Sequence, residues 1–348
     1  MRMNKPEQPR NPDGQMPTMA DVARHAGVSS MSVSRALKNS DLVSEATRQR
    51  IFEAIDQLGY VLDLSAGSLS SKRTGFVAAI VPSINNSNFS DTARGITDEL
   101  EKTGLQLLLA YNDYSVEREE RLIEAMLRRR PEGIILTGGI HTDRARRMLE
   151  NAGIPVVETW DLPANPIDQV VGFSNANAMA LLVKTLALKG YRKFAYIGGT
   201  TERDTRGNQR RSGFQAAIAE LGLPEGRVVS FGVPPISMEQ GAQAMGGVLS
   251  QWPDTEVVIC VSDLSAFGAL MECQRRGLSV PKDIAVAGFG NYEIAACCHP
   301  RITSVDIECY EIGRLAARKL FATIKDPDHP SRRELVLTNI RVVEREST

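Results

Sequence analysis

The chain has 348 residues, 42% of them hydrophobic, with 41 Lys and Arg against 42 Asp and Glu. That length suits a small module plus a larger one or two, and enough apolar side chains are present to fill sizeable cores. No apolar run approaches the roughly 18 to 20 residues that a membrane span needs. A formal net charge of -1 means that any case for nucleic acid must come from local pattern.

The first 17 residues are polar and rich in Pro, Asn and Gln, with no apolar stretch followed by small residues. A disordered tail is expected there rather than a secretory signal, which makes the protein cytoplasmic. The odd count and irregular spacing of Cys260, Cys273, Cys297, Cys298 and Cys309 argue against a disulfide framework and for reduced thiols. Cys297-Cys298-His299 lacks the spaced pairs of a metal site, and no second cluster completes it. Neither metal nor cofactor is expected.

Residues 18–60 read as three short helices. Thr18 can cap the first, with Asp21 near its positive end and Val22, Ala23 and Ala26 on one apolar face. Gly27 supplies a tight turn. Ser29 caps a second helix, Ser30 to Leu37, with Val33, Ala36 and Leu37 inward and Ser30, Met31, Ser34 and Arg35 outward. A third helix, Ser44 to Leu58, presents Ile51, Ile55 and Leu58 and closes the core. Two helices joined by a Gly-containing turn, the second polar on its outer face, form a helix-turn-helix.

Residues 61–74 are rich in Ser, Gly and Leu and read as a hinge. From residue 75 onward, apolar runs alternate with helical stretches. The runs are Phe76–Val81, Leu105–Ala110, Gly133–Leu136, Pro155–Val157, Phe194–Ile197, Val257–Val261 and Ile284–Ala287. Alternation of this kind calls for βαβ units, and more than 250 residues of it suggest two doubly wound lobes.

Ala20-Asp21-Val22-Ala23, Ala26-Gly27-Val28-Ser29, Val33-Ser34-Arg35-Ala36-Leu37 and Leu58-Gly59-Tyr60 resemble the head of the LacI family, and the resemblance runs from Thr18 over essentially the whole chain. It implies an α/β protein with a helix-turn-helix head, a hinge and a two-lobed, periplasmic-binding-protein-like body of parallel sheets, lobe 1 being about 75–174 and 306–330 and lobe 2 about 175–303 and 331–348. Lobe crossings are expected near Phe173–Asn177, Thr303–Asp306 and after Ile324. The similarity is greatest to members that respond to gluconate or 2-ketogluconate, through Gly268 to Leu278 and His299-Pro300-Arg301-Ile302.

The resemblance implies a homodimer on a palindromic operator, with the second helix in the major groove. Ser30 and Met31 would face base edges and Arg35 would read a guanine, whose two acceptors match its fork. Thr18, Ser29, Ser32 and Ser34 suit phosphate contacts. Ala66 and Leu69 would form a minor-groove hinge helix, Leu69 as the wedge. That segment departs from the family in Leu62-Asp63 and in Gly67, which weakens a helix. In the body, Arg210 and Asp263 fall on ligand-binding positions, with Arg211 competing for the role of Arg210 and helix capping for that of Asp263. Asn88, Phe89, Trp160 and Phe173 are the other expected ligand contacts, with core packing as the alternative for the last two. An Arg paired with an Asp suits a sugar acid as the small-molecule effector; a neutral or phosphorylated sugar, or a periplasmic-type sugar carrier, is the alternative. Gly288-Phe289-Gly290 lacks the third glycine of a dinucleotide loop, and no catalytic motif is present, so an enzyme is not expected.

Overall fold

The computed structural model describes residues 16–38, 42–62, 74–199, 203–326 and 334–348. The chain divides into two compact units, Met1–Arg73 and Thr74–Thr348.

The small unit holds α1 (Met19–Ala26), α2 (Ser30–Lys38) and α3 (Glu45–Leu58). Thr18 and Asp21 form a reciprocal capping box: the Thr18 hydroxyl accepts the Asp21 amide at 3.3 Å, and the Asp21 carboxylate accepts the Thr18 amide at 2.9 Å. These bonds also hold the Asp21 carboxyl below its ordinary value. Gly27, at φ 64°, ends α1 in the left-handed conformation that a side chain would resist. Val22, Ala23, Ala26, Val33, Ala36, Ile51 and Ala54 form the core. On α3 the buried pair is Ile51 and Ala54, while the expected Ile55 and Leu58 are half-buried at its margin.

The large unit begins with β1 (Phe76–Val81), α4 (Ser87–Glu101), β2 (Gln106–Tyr111), α5 (Val116–Leu127), β3 (Ile134–Thr137), α6 (Asp143–Glu150), β4 (Val156–Thr159) and β5 (Gln169–Gly172). It continues with α7 (Asn175–Leu188), β6 (Phe194–Gly198), α8 (Thr205–Glu220), β7 (Arg227–Ser230), α9 (Met238–Gln251), β8 (Val257–Cys260), α10 (Asp263–Arg275), β9 (Ala285–Phe289), α11 (Glu293–Cys297) and β10 (Thr303–Asp306). It ends with α12 (Cys309–Lys325), β11 (Leu335–Leu337) and β12 (Arg341–Val343).

Among the described residues the strands form two six-stranded sheets, ordered β2-β1-β3-β4-β5-β11 and β7-β6-β8-β9-β10-β12. All pairings are parallel except β10 with β12. Central strands such as β1 and β8 are apolar throughout because helices cover both faces. The lobe boundaries need two corrections. Thr303–Asp306, expected to be a crossing, is strand β10 of the second sheet, so the chain crosses only after Asp306. β11 pairs with β5, so the chain is still in the first lobe at Leu337. The last crossing falls between Leu337 and Arg341, where β12 joins β10, and not at the expected boundary between 330 and 331. The edge of β5 offers β11 a parallel partner, and three residues suffice to reach the other sheet.

Two helix pairs meet at glycines. A Cβ on Gly268 would lie 1.8 Å from the Met238 carbonyl oxygen, and one on Gly313 would lie 2.0 Å from that of Thr92. No rotamer change relieves a clash with backbone, so α9 and α10, like α4 and α12, approach this closely only with glycine there. Gly268→Val is expected to destabilise the body at the upper end of the roughly 1–3 kcal/mol that overpacking costs. Denaturant unfolding checks this, and an unchanged midpoint would show that the pair can separate freely. No helix among the described residues is long and apolar enough to cross a membrane.

Candidate functional site

Each sheet reverses its winding direction once, between β1 and β3 in the first lobe and between β6 and β8 in the second. Loops leaving the carboxyl ends of the strands diverge at such points and leave a crevice. The cavity there has a volume of about 40 Å³ and is lined from both lobes.

The first-lobe wall comes from the start of α4 and the ends of β2 and β4. Asn86 caps α4 by accepting the Asn88 amide at 3.0 Å, which brings Asn88 and Phe89 to the cleft in the first helical turn. Trp160 follows β4 with φ 69°, a conformation rarely adopted by a bulky side chain. Its indole N–H donates to the Thr92 hydroxyl at 3.1 Å, and its ring centroid lies 4.8 Å from that of Phe89. Tyr114 completes this wall.

The second-lobe wall is built on α8. Arg210 donates from Nε to the Asn175 side-chain oxygen and from Nη1 to the Val261 carbonyl, both at 2.9 Å. Its guanidinium stacks 3.8 Å from the Phe289 ring centroid. Burial pulls the Arg210 guanidinium below its ordinary value, while the Asp204 carboxylate works the other way. Four residues earlier, on the same helical face, Arg206 is only 6% exposed. It crosses the cleft, donating from Nη1 to the Thr137 carbonyl at 3.3 Å and lying over the Phe89 and Tyr114 rings. Asp204 caps α8 by accepting the Gly207 amide at 3.0 Å and also lines the cleft. Among the described residues the hydrogen-bond partners of both arginines are neutral. Among the described residues the cleft thus presents two cations and one carboxylate.

Four of the six expected ligand contacts, Asn88, Phe89, Trp160 and Arg210, line this cavity. Two do not. Asp263 is fully buried, and its carboxylate accepts the Ser304 hydroxyl at 2.7 and 2.9 Å and the Tyr292 amide at 2.7 Å. It ties the β9 and β10 ends together from behind the wall; burial raises its carboxyl to about 6 despite these bonds. Phe173 is 1% exposed and sits in the core between Trp160 and Phe289, with centroids 6.2 and 6.4 Å away. Arg211 is not among the residues that line the cavity and donates to the Gly199 carbonyl at 2.5 Å. The second cleft cation is Arg206. Arg206, Asp204, Tyr114 and Tyr292 were missed by sequence reasoning, although the four-residue spacing from Arg210 was a visible sign of Arg206.

On the small unit, α2 turns Ser30, Met31 and Arg35 to solvent, with Met31 64% exposed, while Ser34 is half-buried. The Ser29 hydroxyl accepts the Ser32 amide at 3.1 Å and lies 3.0 Å from the Ser32 hydroxyl, so both serines secure the start of α2. Thr18 is similarly engaged with Asp21. Ala66 and Leu69 lie outside the described residues.

Residues 18–63 match the model of bacterial regulatory proteins of the lacI family, and residues 183–348 match a periplasmic binding protein-like domain. The HTH-type transcriptional regulator GntR of Escherichia coli is 35% identical over 309 residues, which cover 89% of this chain and 92% of that protein. The chain belongs to the LacI family. The HTH-type transcriptional regulator GntR of Pseudomonas aeruginosa is 37% identical over 308 residues, 88% of this chain and 89% of that one. A solved LacI-family regulator from Silicibacter pomeroyi superposes with a TM-score of 0.86 at 33% identity, covering 95% of this chain and 98% of that one. The protein is therefore a DNA-binding transcription regulator and not an enzyme. As in other LacI-family members, a helix-turn-helix unit is joined to a two-lobed body.

Proposed function

We propose that this LacI-family regulator is a repressor that binds a near-palindromic operator as a homodimer and is controlled by a sugar acid, gluconate or 2-ketogluconate, held between the lobes. One observation carries the choice of effector: Arg206 and Arg210 share the cleft with a single carboxylate, Asp204, and hydrogen-bond only to neutral groups among the described residues. A neutral sugar would leave the excess cation uncompensated in a desolvated site, which is costly. A carboxylate accepts two parallel bonds from a guanidinium, and Asp204 suits hydroxyl donors elsewhere on the ligand. The resemblance to gluconate-responsive members agrees. A second cation also suits a phosphorylated sugar, the reading favoured next.

A cavity of about 40 Å³ is well below the roughly 300–1,000 Å³ of pockets that hold small molecules. A six-carbon acid is therefore expected to enter a more open arrangement of the lobes. A ligand that favours one lobe arrangement over the other changes their populations, and DNA affinity follows when only one arrangement suits the operator. Titration calorimetry with gluconate, 2-ketogluconate, glucose and a hexose phosphate tests the choice. A sugar acid is expected to bind at least about tenfold tighter than glucose, a gap of about 1.4 kcal/mol; equal binding of glucose would overturn the assignment.

At the other end, exposed Ser30, Met31 and Arg35 are the side chains that α2 offers to base edges, Arg35 to a guanine. Thr18, Ser29, Ser32 and Ser34 serve phosphate positioning, and Ala66 and Leu69 the minor groove. Arg35→Ala is expected to weaken operator binding by roughly 1–3 kcal/mol and to flatten the preference at one base pair. An equal loss on operator and random duplex in a gel shift would make Arg35 a phosphate contact only.

A further inference from the structure

His141 lies in the first lobe, outside the cleft, with no exposed side-chain surface. Its Nδ1 is 2.5 Å from Glu119 Oε1 and its Nε2 is 3.3 Å from Glu158 Oε1. Both carboxylates are buried. A neutral imidazole carries one N–H and could donate to only one of them, turning a lone pair on the other; the doubly protonated ring satisfies both.

The network does not end there. The second oxygen of Glu158 accepts the Ile167 amide at 2.7 Å, which anchors it. The second oxygen of Glu119 accepts from Asn112 Nδ2 at 3.0 Å, and Asn112 Oδ1 in turn accepts the Tyr114 amide at 3.1 Å. A carboxylate can only accept, so Glu119 fixes which way the Asn112 amide points. The turn it holds needs holding. Asp113 and Tyr114 are consecutive left-handed residues, at φ 55° and 57°, and neither is glycine. Tyr114 is the side chain that lines the cleft beside Arg206.

We infer that His141 is a positioning residue for the effector: through Glu119 and Asn112 it holds the strained turn that sets the Tyr114 wall of the cleft. Glu119 on α5 and Glu158 on β4 are the charged groups facing its ring. Neighbouring Glu120 is turned instead to Thr142 and Arg144. His141 is held protonated to about 9 by these two carboxylates, against the opposing effect of burial. Loss of that proton leaves Glu158, at the longer contact, facing a lone pair and removes the charge that holds Glu119, so the hold on Asn112 slackens.

The test uses the full chain and two substitutions. Asn112→Ala cuts the relay on the cleft side and leaves His141 between its carboxylates; His141→Gln removes the source. Each is measured for gluconate affinity by calorimetry and for hydrogen exchange at residues 113–115. The use of gluconate rests on the effector proposed above. Both variants are expected to lose affinity at least tenfold at pH 7 and to exchange faster at these amides. Wild-type affinity should also fall as pH passes about 9, a dependence that Asn112→Ala lacks. If His141→Gln does not fold, the wild-type profile through pH 9 stands in for it, since it removes the same proton. Wild-type affinity and protection retained in the variants, or a flat wild-type profile, would make His141 purely structural and overturn the inference. If the wild type takes up no gluconate, the effector assignment has failed, and exchange at 113–115 alone decides: faster in the variants supports the relay, unchanged rejects it.

Discussion

Arg210→Ala is expected to cost on the order of 2–5 kcal/mol of gluconate binding, while the variant still folds and still binds operator DNA. The guanidinium is fixed on three sides, by Asn175, by the Val261 carbonyl and by the Phe289 ring. A carboxylate that docks there meets a donor fork already oriented, so little ordering entropy is lost. Removing the fork leaves the ligand anion beside Arg206 alone and strands part of its charge in a desolvated cleft. The side chains that hold Arg210 are neutral, so no buried carboxylate is orphaned when it goes, and the fold should survive. Titration calorimetry, with a melting curve as control, gives the answer. Sugar-acid affinity left intact would remove Arg210 from the site.

His141→Gln is expected to destabilise the body by roughly 3–5 kcal/mol at neutral pH, the cost of stripping one partner from a buried ion pair. Glu119 and Glu158 would then share the interior with no cation between them. The wild type should show the same dependence as a pH effect. The folded-state value of His141, about 9, lies above its ordinary 6.5. The proton is therefore bound more tightly in the folded state, and its stabilisation is complete below about 6.5. It is lost as pH rises through about 9, the interval being worth about 3 kcal/mol. Urea midpoints between pH 6 and pH 10 should fall for the wild type. A variant that removes all three groups together, His141→Leu with Glu119→Gln and Glu158→Gln, should lack that slope. A wild-type midpoint that holds constant to pH 10 would show that the proton is not retained there.

Much of the fold was legible because local signals agreed with tertiary ones. Six-residue β1 and four-residue β8 are continuous apolar runs, and α1 carries both its cap and its turn glycine in sequence. β5, β7, β10, β11 and β12 gave no such signal. β5 includes the buried Gln169, whose amide nitrogen donates to Thr323, 154 residues later, while its side-chain oxygen finds no partner among the described residues. β11 and β12 are three-residue strands whose pairing is decided by which sheet edge is free, and this is why the last lobe crossing was misplaced.

The cleft divides along the same line. Asn88, Phe89 and Trp160 stand at helix or strand ends, and Arg210 in the second turn of α8, at positions that the family pattern marks. Asp263 stands at one too, but its carboxylate is taken by Ser304, 41 residues away, and by the Tyr292 amide, and no local pattern reveals that. Arg211, next to Arg210, lies on a different face of the helix and turns to Gly199, whereas Arg206, four residues before Arg210, shares its face and reaches Thr137 in the other lobe.

Effector control of DNA binding is tested most directly by one titration. Duplexes selected by the protein from a random pool are labelled, and their affinity is followed by fluorescence anisotropy at fixed salt as gluconate or 2-ketogluconate is added. Selection should yield two half-sites in near-palindromic arrangement about one helical turn apart. One of the two acids should change the affinity for that duplex at least about fivefold, a coupling of about 1 kcal/mol, and glucose should not. An affinity indifferent to both acids, or a response to glucose of the same size, would contradict control by a sugar acid in the cleft.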